Sequence, residues 1–169
     1  MQKKVLLLLG SISDWETVKP CTKALGSYGI EFEAHVCSAH RSPAQAAAYA
    51  ENARCAGFGV IIAAAGMSAA LAGTLAAHTS LPVIGIPVKS KALDGMDALL
   101  STVMMPPGIP VAAVAIDGAH NAAVLAAQIL AVADTELAAK LEAQKHNMLT
   151  GVQEKDAELQ NLLAGGKKA

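Results

Sequence analysis

A set of short runs that are apolar at every position limits what this chain can fold into. Val5 to Leu9 and Val60 to Ala65 contain no polar side chain. A half-buried strand alternates apolar and polar residues, whereas a strand covered on both faces does not, and such strands belong to parallel sheets flanked by helices. Ile30 to Cys37, Pro82 to Ile86 and Val111 to Ile116 are three more strand-length segments. Between them the sequence predicts helices over about Asp14–Ser27, Pro43–Ala56, Ala69–His78 and Gly118–Ala133, with a polar loop and a short helix over Pro87–Ser101. Asp94, Gly95 and Asp97 lie near the start of that short helix. Gly29 and Gly57 end the first two helices. Met105-Pro106-Pro107-Gly108-Ile109-Pro110 cannot be helical and reads as a connection. Ser13 with Glu16, and Ser42 with Gln45, have capping-box spacing, Pro43 suits a first helical turn, and Asp117 and Asp134 read as caps of the last two helices.

Five alternations of strand and helix predict an α/β fold with one five-stranded parallel sheet and helices on both faces. Sheets of this kind commonly take the strand order 2-1-3-4-5, and ligands bind beyond the carboxyl ends of the strands, where strands 1 and 3 diverge. A chain of 169 residues suits one domain. It is read as 1–164, with a final helix over about 134–163 and a frayed tail at 165–169. Among the helices, Ala119 to Ala133 has only His120, Asn121 and Gln128 as polar side chains. A helix apolar nearly all round is buried on more than one side. The expected second cover is another subunit, hence a homo-oligomer.

Composition excludes several classes. Hydrophobic residues make up 53% of the chain, yet the longest purely apolar runs are far too short to span a bilayer. Lys3-Lys4 followed by Val5–Leu9 starts like a signal peptide, but the apolar stretch is only about five residues against the ~7–15 of a true one, so it reads as a buried first strand. Cys21, Cys37 and Cys55 have no paired spacing, which fits a reducing, cytoplasmic setting and neither a disulfide frame nor zinc. A net charge of −1 without a basic run, apart from Lys167-Lys168, does not fit nucleic-acid binding. No G-x-G-x-x-G opens a helix, so a dinucleotide is not indicated. The first turn lacks the hydroxyl-rich run expected around a flavin phosphate. Leu8-Leu9-Gly10 ends the first strand without the acidic residues of a phospho-receiver. No cluster has metal-ligand spacing.

The polar residues that remain fall in three turns at the carboxyl ends of strands 1, 2 and 3. Ser11 and Ser13 flank the start of the first helix, where free N–H groups and the helix dipole form a phosphate site. The Asp14 carboxylate would repel phosphate and suits the hydroxyls of a ribose. After strand 2, His40 and Arg41 sit side by side in Ser38-Ala39-His40-Arg41-Ser42-Pro43. A titratable ring beside a permanent cation fits proton transfer next to a bound anion, with Arg41 giving a bidentate phosphate contact. Gly66, after strand 3, would let backbone approach a ligand ring closely. His35, His78, His120 and His146 lie away from these turns.

The chain resembles a known family through five segments in order. They are Gly10-Ser11-Ile12-Ser13-Asp14, Ser38–Pro43, Pro82–Val88, Met105–Val111, and Asn121 to Leu130. Together they resemble the N5-carboxyaminoimidazole ribonucleotide mutases, also labelled the catalytic subunit of phosphoribosylaminoimidazole carboxylase, over about residues 4–150. The resemblance implies a flavodoxin-like three-layer αβα sandwich, a homo-octamer, a small ribonucleotide substrate, and no metal or organic cofactor. It implies a purine-biosynthetic reaction in which a carboxylate moves from the exocyclic nitrogen of an aminoimidazole ribonucleotide to ring carbon C4. It assigns the proton carrier to His40 and the phosphate and ribose contacts to Ser11, Asp14 and Arg41. Ser13, Ser38, Gly66 and Met67 fall at pocket-lining positions. One departure is visible. Many such mutases carry Gly-Gly-Ala-Ala-His-Leu-Pro-Gly after strand 3, where this chain has Gly66-Met67-Ser68-Ala69-Ala70-Leu71-Ala72-Gly73. Ala70 replaces the histidine, and the pattern is similar to that of aminoimidazole ribonucleotide carboxylases, which use free CO2. Two alternatives to the mutase therefore stand: such a carboxylase, and a non-catalytic nucleotide-binding module.

Overall fold

In the computed structural model, which describes residues 3–165, a parallel sheet lies between two helical layers that bury its three central strands. The elements are β1 (Lys4–Leu9), a 3-10 turn (Ile12–Asp14), α1 (Trp15–Tyr28), β2 (Phe32–Val36), α2 (Pro43–Ala53), β3 (Phe58–Gly66), α3 (Leu71–Ala77), β4 (Val83–Val88), α4 (Met96–Val103), β5 (Ala112–Ala113), α5 (Ala119–Ala131) and α6 (Thr135–Gly165). The sheet runs β2-β1-β3-β4-β5 with every pairing parallel, the order expected from the sequence. The frayed tail expected at 165–169 falls, beyond Gly165, outside the described residues.

Double burial explains the uninterrupted apolar runs. In β1, Val5, Leu7 and Leu9 point into one core while Leu6 and Leu8 point into the other. In β3, Val60, Ile62 and Ala64 share the first core, and Ile61 and Ala63 the second. Period-two side chains that all meet protein need no polar partner face. The first core is closed by α1, α5 and the start of α6, the second by α2 and α3. Each fully buried Leu or Ile contributes roughly 1.5–3 kcal/mol relative to exposure.

Several local expectations are corrected. The Ser42–Gln45 capping box does not form: Ser42 makes no side-chain bond to its helix and turns back to Ser38. At the first helix, Ser11 rather than Ser13 accepts the capping N–H. Asp134 does cap α6, accepting the Leu137 N–H at 3.0 Å. Asp117 caps nothing, because its carboxylate accepts the Lys89 N–H instead. The fifth strand, expected over Val111–Ile116, is only two residues long. The fourth strand continues through Pro87, because β5 pairs with β4 only at Ile84 and Gly85 and leaves that edge open. Part of the cover of α5 comes from within the chain itself. Val18, Cys21 and Leu25 of α1 and Leu137 and Leu141 of α6 pack with its buried alanines within one chain. The long C-terminal helix folds back over α5, which sequence periodicity alone could not place.

Gly85 shows how closely the sheet packs. A methyl group built there would overlap Thr102 of α4 and lie 3.1 Å from Val111 Cγ1. Gly85→Ala should therefore destabilise the fold by about 1–3 kcal/mol through overpacking. The check is a lower urea midpoint with an unchanged slope. An unchanged midpoint would show that α4 yields at no cost.

Candidate active site

The turn after β2 is braced by its own serines. The Ser42 hydroxyl accepts the Ser38 N–H at 3.1 Å and donates to the Ser38 carbonyl at 3.1 Å. The Ser38 hydroxyl accepts the Arg41 N–H at 3.2 Å. The Cys37 N–H is tied to Leu9 at 2.8 Å, continuing the sheet to the base of the turn. The brace leaves His40 and Arg41 exposed at its tip. Arg41 Nη2 donates to the Gly10 carbonyl at 3.1 Å, which joins this turn to the one after β1. Among the described residues, no side-chain hydrogen bond involves the His40 ring, so it is free to meet a ligand.

The turn after β1 carries a short hydroxyl chain. Ser13 Oγ lies 2.8 Å from Ser11 Oγ and 3.2 Å from Asp14 Oδ1. Burial raises the Asp14 carboxyl above its ordinary value, and hydrogen bonds from Ser13 and the Ser11 backbone pull it partly back. The turn after β3 holds strain. Met67 adopts φ 54°, a left-handed conformation that an L side chain enters at a cost of roughly 1–2 kcal/mol. At Gly66 a Cβ would sit 3.2 Å from the Val88 carbonyl, so this glycine also lets β3 approach β4 closely.

These turns line one cleft of about 850 Å³, a size suited to a small organic ligand. Ser11, Ser13, Asp14, Ser38, His40, Arg41, Gly66 and Met67 all border it. The sequence reading missed its fourth wall, Val88 to Ala92. Its signal was the strand order itself, since β4 lies beside β3 and must deliver its following loop to the same edge. That loop adds Lys89 and Lys91, so the cleft has three permanent cations, Arg41, Lys89 and Lys91, against one carboxylate, Asp14. Lys89 is paired with Asp94 at 3.1 Å. A cleft so charged favours an anionic ligand, and one with two separated anionic groups can meet cations on opposite walls. Ala70 and Ser68 also border the cleft, beside α3. Among the described residues, no group of His, Cys, Asp or Glu could hold a metal ion, and no helix is long and apolar enough to cross a membrane.

The family model for AIR carboxylase matches residues 4–150. The chain belongs to the AIR carboxylase family. It is 50% identical over 161 residues to the N5-carboxyaminoimidazole ribonucleotide mutase of Bacillus subtilis, covering 94% of this chain and 99% of that protein. It is 52% identical over 144 residues to the enzyme of the same name from Brucella melitensis, covering 84% and 89%. Among solved structures, Treponema denticola PurE superposes with a TM-score of 0.85 at 28% identity, over 93% of this chain and 98% of that one.

Asp14 has a consequence for stability that can be measured. Its folded carboxyl binds a proton more tightly than the unfolded one. Its contribution is therefore fully present below the ordinary carboxylate value and is lost as pH rises through the raised one. Asp14→Asn should melt higher than the parent at pH 7, by no more than about 2 °C, and the gain should vanish in acid, where both side chains are neutral. A variant less stable than the parent at pH 7 would mean that the serine hydrogen bonds outweigh burial.

Proposed function

We propose that this chain is a mutase of purine biosynthesis that converts N5-carboxyaminoimidazole ribonucleotide to 4-carboxy-5-aminoimidazole ribonucleotide. The observation that carries this reading is the meeting of His40, Arg41 and the Ser11–Ser13–Asp14 chain in one cation-rich cleft. Identities near 50% with proteins named for this reaction support it. A single catalytic unit, 1–164, carries the activity. It uses neither metal nor organic cofactor.

The substrate phosphate lies at the first helix start, held by Ser11, Ser13 and Arg41. Asp14 takes the ribose hydroxyls, and Ser38, Gly66 and Met67 line the ring. The N–CO2 bond breaks as His40 protonates the departing nitrogen, which leaves CO2 beside a neutral aminoimidazole. The electron-rich C4 then attacks that CO2. The same imidazole, now neutral, removes the C4 proton and restores the aromatic ring. The proton returns to where it started, so the net reaction is an isomerisation. The exposed position of His40 lets it reach both sites on the ring. The cleft must exclude water while CO2 is free.

The protein is proposed to act as a homo-octamer in the cytoplasm. Supporting assembly, Met96, Leu100 and Met104 on the α4 side and Met148, Val152, Leu159 and Leu162 on α6 are large apolar residues exposed in the single chain. The free cysteines fit a reducing compartment. A second reading, a carboxylase using free CO2, is favoured by one observation. Ala70, at the start of α3, borders the cleft where many mutases carry histidine.

Two variants separate proton transfer from binding. His40→Asn should keep the fold and cut turnover by about two to four orders of magnitude. Arg41→Ala should weaken ribonucleotide binding by about 1.5–3 kcal/mol and affect the phosphate-free riboside much less. Near-normal turnover in the first, or equal losses on both ligands in the second, would remove these residues from their roles.

A further inference from the structure

The carboxyl end of β4 has no strand beside it on one edge, yet it carries the Lys89–Ala92 wall of the cleft. β5 stops at Ala113. Beyond it the edge is bonded only at intervals. The Val114 N–H donates to the Gly85 carbonyl at 3.0 Å, and the Asp117 N–H donates to the Pro87 carbonyl at 2.9 Å. In a parallel ladder the residue that donates to position 87 also accepts, through its own carbonyl, from the N–H of position 89. Asp117 cannot do this with its backbone. Its φ of 56° turns the chain into α5, and its carbonyl accepts the Ala119 N–H at 2.8 Å. The side chain substitutes: Asp117 Oδ1 accepts the Lys89 N–H at 2.9 Å.

We infer that Asp117 is a positioning residue, which extends the sheet past the end of β5 through its backbone N–H and its carboxylate and so fixes the Lys89–Ala92 wall over the cleft. Asp117 does not border the cleft itself. It acts through the loop. Three features agree with this role. Pro87 has no N–H to offer this edge, so no donor is left unpaired there. Gly95, at φ 90°, brings the far end of the loop back against Lys89, where a Cβ would lie 3.1 Å from the Lys89 Cα. Asp is among the few residues that both tolerate a left-handed backbone and offer an acceptor.

The inference rests on the proposed function only for its catalytic consequence, so the test has two arms. Asp117→Asn keeps the acceptor and the tolerance of positive φ. Asp117→Gly keeps the backbone freedom and loses the acceptor. In the ligand-free protein, amide hydrogen exchange at Lys89 and along 89–95 should rise on the order of tenfold in Asp117→Gly, with Asn close to the parent and the amides of Leu7 and Ile62 unchanged. With N5-carboxyaminoimidazole ribonucleotide as substrate, Gly should raise KM about tenfold with kcat within about twofold, and Asn should restore both. Unchanged exchange at Lys89 in the Gly variant would overturn the inference. So would an Asn variant as impaired as Gly, which would make charge rather than acceptor geometry the cause. A rise spread over the whole sheet would make Asp117 a general structural residue instead. If the parent does not turn over this substrate, the functional reading fails while the exchange arm still decides the role of Asp117.

Discussion

Burial of the sheet on both faces is the constraint on which the remaining features depend. With β1, β3 and β4 enclosed between two cores, no polar side chain can be placed along their length without losing its water. Chemistry is therefore displaced to the ends of the strands. The parallel order gathers the carboxyl ends of β1, β2, β3 and β4 along one edge, and the reversal between β1 and β3 parts the loops there. The cleft and its lining follow from topology before any side chain is chosen.

Loops at such an edge must be held by few bonds, and each turn uses a different device. The turn after β2 uses two serines as cross-braces. The turn after β1 is tied to its neighbour by Arg41 and to β3 through the Gly10 N–H, which bonds the Ala64 carbonyl at 2.8 Å. The turn after β3 tolerates a left-handed Met67. The wall after β4 borrows a carboxylate from the start of α5. Of the non-glycine residues with positive φ among those described, Met67 borders the cleft, and Asp94 and Asp117 pair with Lys89 in the loop that walls it.

Much of this was legible in the sequence, because apolar runs and their spacing report burial and order directly. Val5–Leu9 and Val60–Ala65 gave away the parallel sheet, and His40 and Arg41 stood out in a turn with no core to serve. What was not legible depends on choices between equivalent hydrogen bonds. Ser42 and Asp117 have the sequence context of helix caps, but each found a competing N–H, Ser42 in its own turn at Ser38 and Asp117 in a neighbouring loop at Lys89. The cover that α6 gives α5 was not legible because α6 is mixed in polarity, and only its first turns, with Leu137 and Leu141, are buried. Lys89 and Lys91 were passed over because a polar loop looks alike whether it faces water or a ligand.

The central claim is that one cleft releases CO2 from nitrogen and returns the same CO2 to carbon. The most direct measurement follows the carbon itself. Substrate labelled with carbon-13 in its N-carboxylate is converted in buffer containing unlabelled bicarbonate, and the C4 carboxylate of the product is analysed by NMR or mass spectrometry. The account predicts that the product retains the label and that added bicarbonate does not dilute it. A product carrying unlabelled carbon in proportion to the bicarbonate supplied would contradict it, and would mean that the cleft takes CO2 from solution.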